Sequence, residues 1–574
     1  MKIQYVKIDN YRNLDGCEVF FHKKNNYVIG ENNIGKSNLL TLLETVFSGK
    51  AFAETDFEDV SCPIEITVQL VLSEHEQGFF GDLFSPKDSR IINILFKQDV
   101  SEAYPSIINI DSGESICQRQ IKRVHFLKYN STAVPEKELK LDSKRGIGTV
   151  VNHIIEKYTN ENDSSTLINN DYMSGVEEYL NERLSKIRSF NDYKIQATHT
   201  DTDNNILSKL LYLSDGERAL ENTGSGIQYV TMATINLLTQ IMSIYNGKAI
   251  PFEEQLYTNE NGEKILPIVL AIDEPEVHLH PFLQRSLINY YKKILNNKEN
   301  DFLDLIKQCF DIDGLSGQLI VVTHSTDALV DDYRNLIRFY KDEQKTTVVC
   351  GNKLRLQSND EKHLLLHFPE IKEAFYSKCA ILVEGVTEYG CISSFAGSLG
   401  IALDDYGISV ISANGEGSIE PLRKLFAEFG INSVLIYDRD VKQGQTPKDY
   451  EFFTSELCFE IEIVKNLYRL GKSDLVSTIV DEFDQNARND IIQSGYLDKP
   501  LRNFGYDITK GVPRKLAEVD PTNEQGFCCV YAAWLYKNKG IILGRLIGQL
   551  LTNDLIPSCY VDAIKKAAEV ASNV

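Results

Sequence analysis

The chain has 574 residues, 43% of them hydrophobic and 25% charged, so it is globular and long enough for about two to four domains. This composition excludes a fibre or a disordered tail. The net charge of −22 disfavours bulk attraction to nucleic acid, but it does not exclude a local basic groove or carboxylates masked by metal ions.

The N-terminal run MKIQYVKIDNYRNL alternates apolar and polar residues as a strand does, and it predicts neither a signal peptide nor a membrane anchor. The late apolar run GIILGRLIGQLL is interrupted by Arg545, so no spanning helix is expected. The 11 cysteines form no C-x-x-C pair, which favours reduced, buried thiols over disulfides or zinc sites. We therefore expect a cytoplasmic protein that does not contact a membrane.

The string GENNIGKSN follows the apolar run NNYVI and precedes the helical run LLTLLETVF, which is the strand, loop and helix context of a phosphate-binding loop. Backbone N–H groups of such a loop cradle phosphates, while Lys36 reaches the β and γ oxygens and Ser37 ligates Mg²⁺. This pattern predicts ATP binding. The residues predicted to bind the nucleotide here are Gly30, Asn33, Gly35, Lys36, Ser37 and Asn38.

Residues from about 146 to 192 show helical spacing and no strand signal. They predict a helical insertion that could brace or dimerise the ATPase domain. A solvated helical lid is the alternative.

Two further apolar strands end in polar residues suited to ATP chemistry. ILPIVLAIDEPEVHLHP places Asp273 where it could hold the Mg²⁺ shell and Glu274 where it could polarise the attacking water. LIVVTHST places His324 at the end of another strand, where it could sense the γ-phosphate. Each is ambiguous alone, and their order along the chain is what makes them specific.

The phosphate loop, the DEPEVHLHP run and the VVTHS strand together resemble ABC-type ATPases of the Rad50, SMC and RecF kind, over about the first 360 residues. The resemblance implies a head-to-tail dimer in which a signature loop from the partner completes each nucleotide site. Arg12 resembles the arginine that contacts phosphate in these families, with a solvated surface charge as its alternative.

Two strings are candidates for the signature loop. Ser225 and Gly226 open the long helix YVTMATINLLTQIMSIY, so they could offer N–H groups to a γ-phosphate, and we favour them. The alternative is LSDGE, in which Ser214 is the candidate serine.

The composition turns polar around residues 354–365, and we place the domain boundary there. The predicted domains are an ABC-type ATPase domain over 1–365 and a second domain over 371–574. The second domain begins with CAILVEG, YGISVIS and SVLIYDRD, which alternate with helical runs as in a parallel βαβαβ unit, and a helical tail follows. The predicted fold class is therefore α/β throughout.

Carboxylates follow two strands of this predicted sheet. Glu384 ends the first strand with Glu388 one helical turn on, and Asp438 and Asp440 end a later strand, where alternation puts both on one side. Clustered carboxylates attract divalent cations, which can orient water and stabilise the leaving oxygen of a phosphodiester. Ordinary caps or solvated turns are the alternative for either pair alone.

The spacing E-G-x-x-E, then N-G, then D-x-D resembles the Toprim domain over about residues 378–443. An ABC-type ATPase joined to a C-terminal Toprim domain is similar to the OLD (overcoming lysogenization defect) family of nucleases, whose relatives include Gabija nuclease subunits and retron-associated effectors. The resemblance implies metal-dependent DNA cleavage, by nicking or double-strand cutting, with the ATPase half regulating or assembling the nuclease.

The resemblance also implies roles for single residues. The metal ligands would be Glu384, Glu388, Asp438 and Asp440, with Glu460 preferred over Glu456 as a further acidic ligand. Lys539, with Lys537 as its rival, would stabilise the charge of the transition state. Tyr389 departs from the family pattern, and we expect it to crowd the site.

We therefore expect an ATP-binding DNA endonuclease that uses Mg²⁺ or Mn²⁺ and acts in anti-phage defence. A homodimer or homotetramer is expected because a signature loop needs a second subunit. A helicase, a retron component or no partner protein at all are the alternatives for its defence system. The alternative is an ATP-driven sensor or scaffold that holds a toxin or nucleic acid without cutting. A RecF-like repair ATPase would leave the second half of the chain unexplained.

Overall fold

The computed structural model describes most of the chain: residues 1–130, 139, 146–161, 170–187, 195–199, 211–214, 225–277, 279–342, 345–356, 358–441, 446–506 and 512–572. It divides into two compact units, Met1–Leu354 and Arg355–Val574. The predicted domain limits of 1–365 and 371–574 remain predictions.

The first unit begins with an antiparallel sheet of five strands in the order β2-β1-β4-β5-β6. Apolar and polar residues alternate along these strands because one face packs on the core and the other faces outwards, as in IEITVQLV, where every other residue is buried. The strands are β1 Lys2–Asp9, β2 Cys17–Phe20, β4 Ile64–Val71, β5 Ile91–Gln98 and β6 Ser106–Asn109.

A second sheet of seven strands carries the nucleotide motifs. Its order is β10-β11-β12-β3-β13-β14, with β7 also paired to β11, and the pairs β7–β11, β11–β12, β12–β3 and β3–β13 are parallel. These inner strands are continuous apolar runs because helices cover both faces. The bounds are β3 Asn25–Gly30, β7 His125–Asn130, β10 Tyr257–Thr258, β11 Lys264–Asp273, β12 Gly314–Val322, β13 Leu336–Asp342 and β14 Lys345–Cys350; a separate hairpin is formed by β8 Gln196–His199 and β9 Leu211–Ser214.

The helices of the first unit are α1 Lys36–Ser48, α2 Gln118–Ile121, α3 Ile147–Glu161, α4 Asn170–Leu184, α5 Ser225–Tyr245, α6 Pro281–Leu295 and α7 Asn300–Phe310. Helices α3 and α4 occupy the stretch predicted as a helical insertion, and the rings of Tyr158 and Tyr179 lie 4.9 Å apart between them. A role of this insertion in dimerisation remains a prediction.

The second unit is built on a parallel sheet of four strands in the order β16-β15-β17-β18. Its strands are β15 Cys379–Val383, β16 Ile408–Ser412, β17 Asn432–Tyr437 and β18 Glu451–Phe453. Its helices are α8 Ser358–Ile371, α9 Val386–Ser398, α10 Glu416–Glu428, α11 Phe459–Arg469, α12 Ser473–Phe483, α13 Ser494–Phe504, α14 Glu524–Lys537, α15 Ile541–Leu550 and α16 Ser558–Ser572. The first three strands and the helices between them form the predicted βαβαβ unit.

The tail helices complete the core of the second unit. Helix α14 is apolar on every side and almost wholly buried, with Trp534 1% exposed and both Cys528 and Cys529 fully buried. All cysteines are free thiols, and only Cys62 and Cys117 are exposed. Within the described part of the chain, no helix combines the length and apolar character that crossing a membrane requires.

Candidate nucleotide and carboxylate sites

The phosphate loop joins the end of β3 to the start of α1, and its two glycines are required by geometry. Gly30 has a φ of 139°, and a Cβ there would lie 2.1 Å from the Phe339 carbonyl oxygen. Gly35, with a φ of 105°, caps α1, and a Cβ would lie 2.6 Å from the Leu14 side chain. A side chain at either position would displace the loop from the strand and helix that hold it.

Lys36 is buried in this loop at 4% exposure. Its ammonium donates to the carbonyl oxygens of Gly30, at 2.9 Å, and of Glu31. Burial lowers the pKa of Lys36 to about 8, against the attraction of Glu274 and Glu276. A cation held by neutral carbonyls in a partly dry loop is well placed to pair with an anionic ligand.

Ser37 and Asp273 come together across the sheet edge. The Ser37 hydroxyl donates to the Asp273 carboxylate at 3.2 Å, as expected of two groups that share a Mg²⁺ shell. The Lys128 ammonium lies 3.6 Å from the other Asp273 oxygen. Sequence reasoning missed Lys128, although its position near the end of an apolar strand could have indicated it.

Glu274 and His324 lie beside Lys36 at the ends of β11 and β12. The His324 Nε2 is 3.9 Å from a Glu274 carboxylate oxygen, and burial followed by the nearby Lys36 charge lowers the pKa of His324. Glu274 has a φ of 51°, a conformation that non-glycine residues rarely adopt. Strain of this kind is found at functional positions more often than elsewhere.

Glu276 fixes the position of His324 and was not singled out from the sequence. Its carboxylate accepts hydrogen bonds from the Thr323 hydroxyl at 2.7 Å and from the His324 backbone N–H at 2.5 Å. Burial raises the pKa of Glu276. The sequence could have indicated Glu276, because it is the second glutamate of the DEPE string and lies three residues after the end of β11.

Arg12 lies next to the start of α1. Its guanidinium pairs with Asp56 at 2.7 Å and donates to the Asn38 side chain at 2.7 Å, which in turn donates to Asn13 at 2.8 Å. The structure therefore brings Arg12 and Asn38 to the phosphate loop. Contact between Arg12 and a phosphate remains a prediction.

Of the two candidate signature serines, Ser225 is the first residue of α5, while Ser214 is the last residue of β9 and is 3% exposed. Gly226 follows in the first turn of the same helix. Most of the LSDGE string lies outside the described residues. A helix N-terminus suits an anion contact better than a buried strand end does, so the preference for Ser225 and Gly226 stands as a prediction.

In the second unit, the predicted acidic residues gather at the carboxyl edge of the parallel sheet. Glu384 follows β15 directly, and Glu388 is in the first turn of α9. Strand β17 ends at Tyr437, so Asp438 and Asp440 lie in the turn after it rather than within the strand. Together with the residue at the start of α11 they form what we call the carboxylate cluster: Glu384, Glu388, Asp438, Asp440 and Glu460.

Backbone hydrogen bonds hold the centre of the carboxylate cluster. Glu384 accepts from the Asp438 N–H at 3.4 Å, and Asp438 accepts from the Phe459 N–H at 3.1 Å. Gly385 leaves room for the next glutamate, because a Cβ there would lie 2.8 Å from a Glu388 carboxylate oxygen. The strand ends and the helix starts therefore bring these side chains together.

Burial and mutual repulsion make the carboxylate cluster electrostatically costly. Burial first, and then the charges of Glu460 and Glu384, raise the pKa of Glu388 to about 8. Burial and the charges of Glu388 and Glu384 raise the pKa of Asp438 well above its usual range, and burial raises that of Glu384. A divalent cation would remove this repulsion and lower all three pKa values.

Lys499 supplies a positive charge that sequence reasoning missed. From α13 its ammonium lies 3.0 Å from Asp440 and 3.7 Å from Asp438, so one cation reaches both aspartates. Burial acts to lower the pKa of Lys499, but Cys458 and these aspartates outweigh it and raise the pKa. Position 499 lies in a polar run, YLDKPLRN, that carries no motif.

The structure separates the predicted residues from their rivals. Lys537 pairs with Asp490 at 2.8 Å, whereas the positive charge of Lys539 acts on Glu388. Glu456 pairs with Lys465 at 2.7 Å and lies outside the carboxylate cluster, which Glu460 joins. Tyr389, in the first turn of α9, is 40% exposed, and its crowding of the site remains a prediction.

The donor set fits a divalent cation. It consists of oxygen ligands only, and three of its members, Glu388, Asp438 and Glu460, are each at most 9% exposed. Among the described residues, no three acidic, histidine or cysteine side chains are yet arranged closely enough to hold a metal ion. To hold a cation, these carboxylate oxygens would turn towards a common point.

Comparison with known proteins finds two family matches. Residues 1–166 and 137–328 match the AAA ATPase domain family, which therefore spans more than half of the chain. Residues 375–440 match the Toprim domain of overcoming lysogenization defect protein-like proteins.

Among curated proteins, the chain is similar to the Old nuclease of Escherichia phage P2, with 21% identity over 508 residues that cover 80% of each chain. Among solved structures, it is similar to an Smc head bound to the C-winged helix domain of ScpA, with 13% identity, a TM-score of 0.36 and coverage of 61% of this chain and 98% of the other. It is also similar to the C-terminal region of the Burkholderia pseudomallei OLD protein, with 17% identity, a TM-score of 0.23 and coverage of 34% and 99%.

Proposed function

Because this chain is a protein of the OLD family, with an ATPase domain followed by a Toprim domain, we propose that it is an ATP-binding, metal-dependent endodeoxyribonuclease. The proposal includes control of cleavage by the ATPase unit, assembly as a homodimer or homotetramer, a helicase or retron component as partner, and a role in anti-phage defence. The carboxylate cluster at the edge of the Toprim sheet is the observation that carries it.

Glu384, Glu388, Asp438, Asp440 and Glu460 would hold Mg²⁺ or Mn²⁺. A divalent cation held in this way supplies an activated water and stabilises the charge that develops on a phosphodiester. The chain itself contributes oxygen ligands at one sheet edge, of which Glu388, Asp438 and Glu460 are buried. The charge of Lys539 acts on Glu388, and its ammonium, 4.7 Å from the centre of the Tyr536 ring, would pair with a phosphate at the same edge.

The nucleotide site would control cleavage by changing the conformation of the protein. Lys36 and the loop N–H groups would bind the phosphates of ATP, and Ser37 with Asp273 would hold its Mg²⁺. Glu274 would polarise water, and His324, fixed by Glu276, would contact the γ-phosphate. A signature loop with Ser225 and Gly226 from a second copy would complete the site.

Incubation of the purified chain with supercoiled plasmid and MnCl₂ tests the proposal. The wild-type chain should nick or linearise the plasmid, and Asp438→Ala should lower the rate by at least about 100-fold, as expected when a metal ligand is lost. Asp404→Ala, which changes an exposed aspartate of the same unit, is the matched control. Unchanged cleavage by Asp438→Ala would overturn the assignment, and DNA binding without cutting by the wild type would favour a scaffold.

A further inference from the structure

The first unit contains a large groove that the nucleotide site does not use. Its volume is about 960 Å³, and its walls come from the ends of strands in both sheets of the unit and from the residues after α6. Five cationic side chains line it against a single carboxylate, that of Asp88. We call it the basic groove, and its cations are Lys2, Lys23, Lys24, Arg90 and Lys353.

The net charge of the side chains that line this groove is positive, whereas the net charge of the whole protein is negative. The chain carries a net charge of −22, whereas the lining side chains carry five positive charges and one negative charge. The negative charge is already paired, because Asp88 binds Arg90 at 2.9 Å. The remaining excess comes from the four lysines, of which Lys23, Lys24 and Lys353 are exposed.

The lysines lie close enough to repel one another. Burial, followed by the charge of Lys24, lowers the pKa of Lys2; Glu76 opposes this effect and Lys23 adds to it. Like charges held together in a groove are destabilising unless an anion neutralises them. The fold nonetheless keeps Lys2, Lys23 and Lys24 together along the groove, which is what an anion-binding site requires.

A fixed framework supports the groove. Gln318 is fully buried beneath it, donates to the carbonyl oxygens of Ile3 at 3.0 Å and His22 at 2.8 Å, and accepts from the Ile3 N–H at 3.1 Å. These bonds join the start of β1 and the middle of β12 to the segment that carries Lys23 and Lys24. The buried Gln318 side chain therefore fixes the backbone beside Lys2, Lys23 and Lys24.

The basic groove is separate from the nucleotide site. Asn25, at the start of β3, lines the groove, and Gly30, at the end of the same strand, begins the phosphate loop. Five residues of a parallel strand span about 16 Å, so a ligand in the groove does not compete with ATP for the same atoms.

From this charge, its dispersal over several segments and its exposure, we infer that the basic groove binds the sugar-phosphate backbone of DNA. Lysines on separate segments fit a row of phosphates. The choice of DNA rests on the proposed function, while the groove and its charge do not.

Binding of a fluorescein-labelled 20-base-pair duplex, measured by anisotropy in EDTA over a range of NaCl concentrations, tests the inference without cleavage. The variant combines Lys2→Gln, Lys23→Gln and Lys24→Gln. Its matched control combines Lys50→Gln, Lys122→Gln and Lys248→Gln, three exposed lysines of the same unit outside the groove. A second variant with only Lys23→Glu and Lys24→Glu guards against misfolding caused by the half-buried Lys2.

We expect the groove variant to bind the duplex at least about 10-fold more weakly. In a plot of the logarithm of the binding constant against the logarithm of the NaCl concentration, the magnitude of its slope should fall by about 2 to 3, since each phosphate contact contributes about 0.9. The control should change affinity by less than about 3-fold with the slope retained. Equal effects in both variants, no effect in the groove variants, or no duplex binding by the wild type would each overturn the inference. Equal displacement of the duplex by poly-L-glutamate of matched charge would instead assign the groove to acidic proteins.

The plasmid cleavage assay is independent of this result. If Asp438→Ala still cuts while the groove variant loses duplex binding, the nuclease assignment fails and the groove assignment stands. If Asp438→Ala is inactive and the groove variant binds DNA normally, the reverse holds.

Discussion

The Lys499 ammonium lies 3.0 Å from the Asp440 carboxylate, at the edge where the carboxylate cluster would take up a metal ion. A lysine so placed neutralises the aspartates, and it also competes with any cation that needs them. The two residues are 59 positions apart, and the contact exists because α13 packs beside the turn that follows β17.

Replacing Lys499 by Gln should therefore tighten metal binding. We expect the Kd for Mn²⁺, measured by isothermal titration calorimetry at pH 7.5, to fall by about 3- to 10-fold, equivalent to about 1 kcal/mol of relieved competition. Lys472→Gln, an exposed lysine on the same unit, should leave the Kd unchanged. A rise in the Kd for Mn²⁺ in Lys499→Gln would contradict this prediction and show that the lysine supports metal binding.

The raised pKa of Glu388 predicts a pH-dependent metal response. A folded pKa of about 8, above the ordinary 4.5, gives stability that is fully present below about pH 4.5 and is lost as pH rises through 8. A metal ion must displace this proton, so its apparent affinity should fall about 10-fold for each pH unit below 8.

Thermal denaturation with MnCl₂ or EDTA at pH 6.0 and pH 8.5 measures this dependence. The Mn²⁺-induced rise in Tm should be larger at pH 8.5, and Glu388→Gln should reduce that difference. An equal Mn²⁺ effect at both pH values in the wild type contradicts the prediction.

Lys36→Ala should abolish nucleotide binding. The change removes the buried ammonium held 2.9 Å from the Gly30 carbonyl, and we expect at least about a 100-fold rise in Kd for a fluorescent ATP analogue, in line with loss of a charge-assisted phosphate contact. Lys50→Ala, just beyond the other end of α1, is the control. Retained binding in Lys36→Ala would exclude the loop as the phosphate site.

Glu276→Ala should slow ATP hydrolysis more than it weakens ATP binding. Loss of the carboxylate leaves the Thr323 hydroxyl and the His324 N–H without their acceptor, which frees the His324 backbone. We expect phosphate release to fall by about 10-fold, with the Kd for ATP changed by less than about 3-fold. Glu54→Ala is the exposed control, and a large rise in Kd with normal turnover would argue against a positioning role.

Gly544→Ala should destabilise the second unit. A Cβ at this position would lie 2.1 Å from the Thr387 carbonyl oxygen, where α15 crosses α9, so the two helices must separate. We expect a loss of about 2 to 4 kcal/mol, or roughly 5 to 15 °C in Tm, together with weaker metal binding because Glu388 is adjacent. Gly397→Ala, on the open side of α9, should be neutral or slightly stabilising, and similar Tm values for the two variants would contradict this account.

The sequence predicted the features that are local along the chain. The fold class and the family are confirmed by the ATPase and Toprim matches, since the phosphate loop and the acidic strand ends are carried by short contiguous strings. Glu384, Asp438 and their neighbours were predictable because parallel strands end at one edge.

What the sequence did not predict depends on long-range packing. Lys499, Lys128 and Glu276 reach their partners through elements whose relative positions no local pattern encodes. Lys537 and Lys539 are two residues apart, yet Lys537, at the end of α14, pairs with Asp490, while Lys539 acts on Glu388. The roles assigned to single site residues remain predictions.

Strand β3 carries a residue of the basic groove at its first position and the first glycine of the phosphate loop at its last. If ATP changes the affinity of the groove for its ligand, thermodynamic linkage requires that ligand to change the affinity for ATP by the same factor. Measuring nucleotide affinity alone, with and without duplex, would then report on the groove. The six residues of β3 would then connect two binding sites, one for the phosphates of ATP and one for the phosphates of DNA.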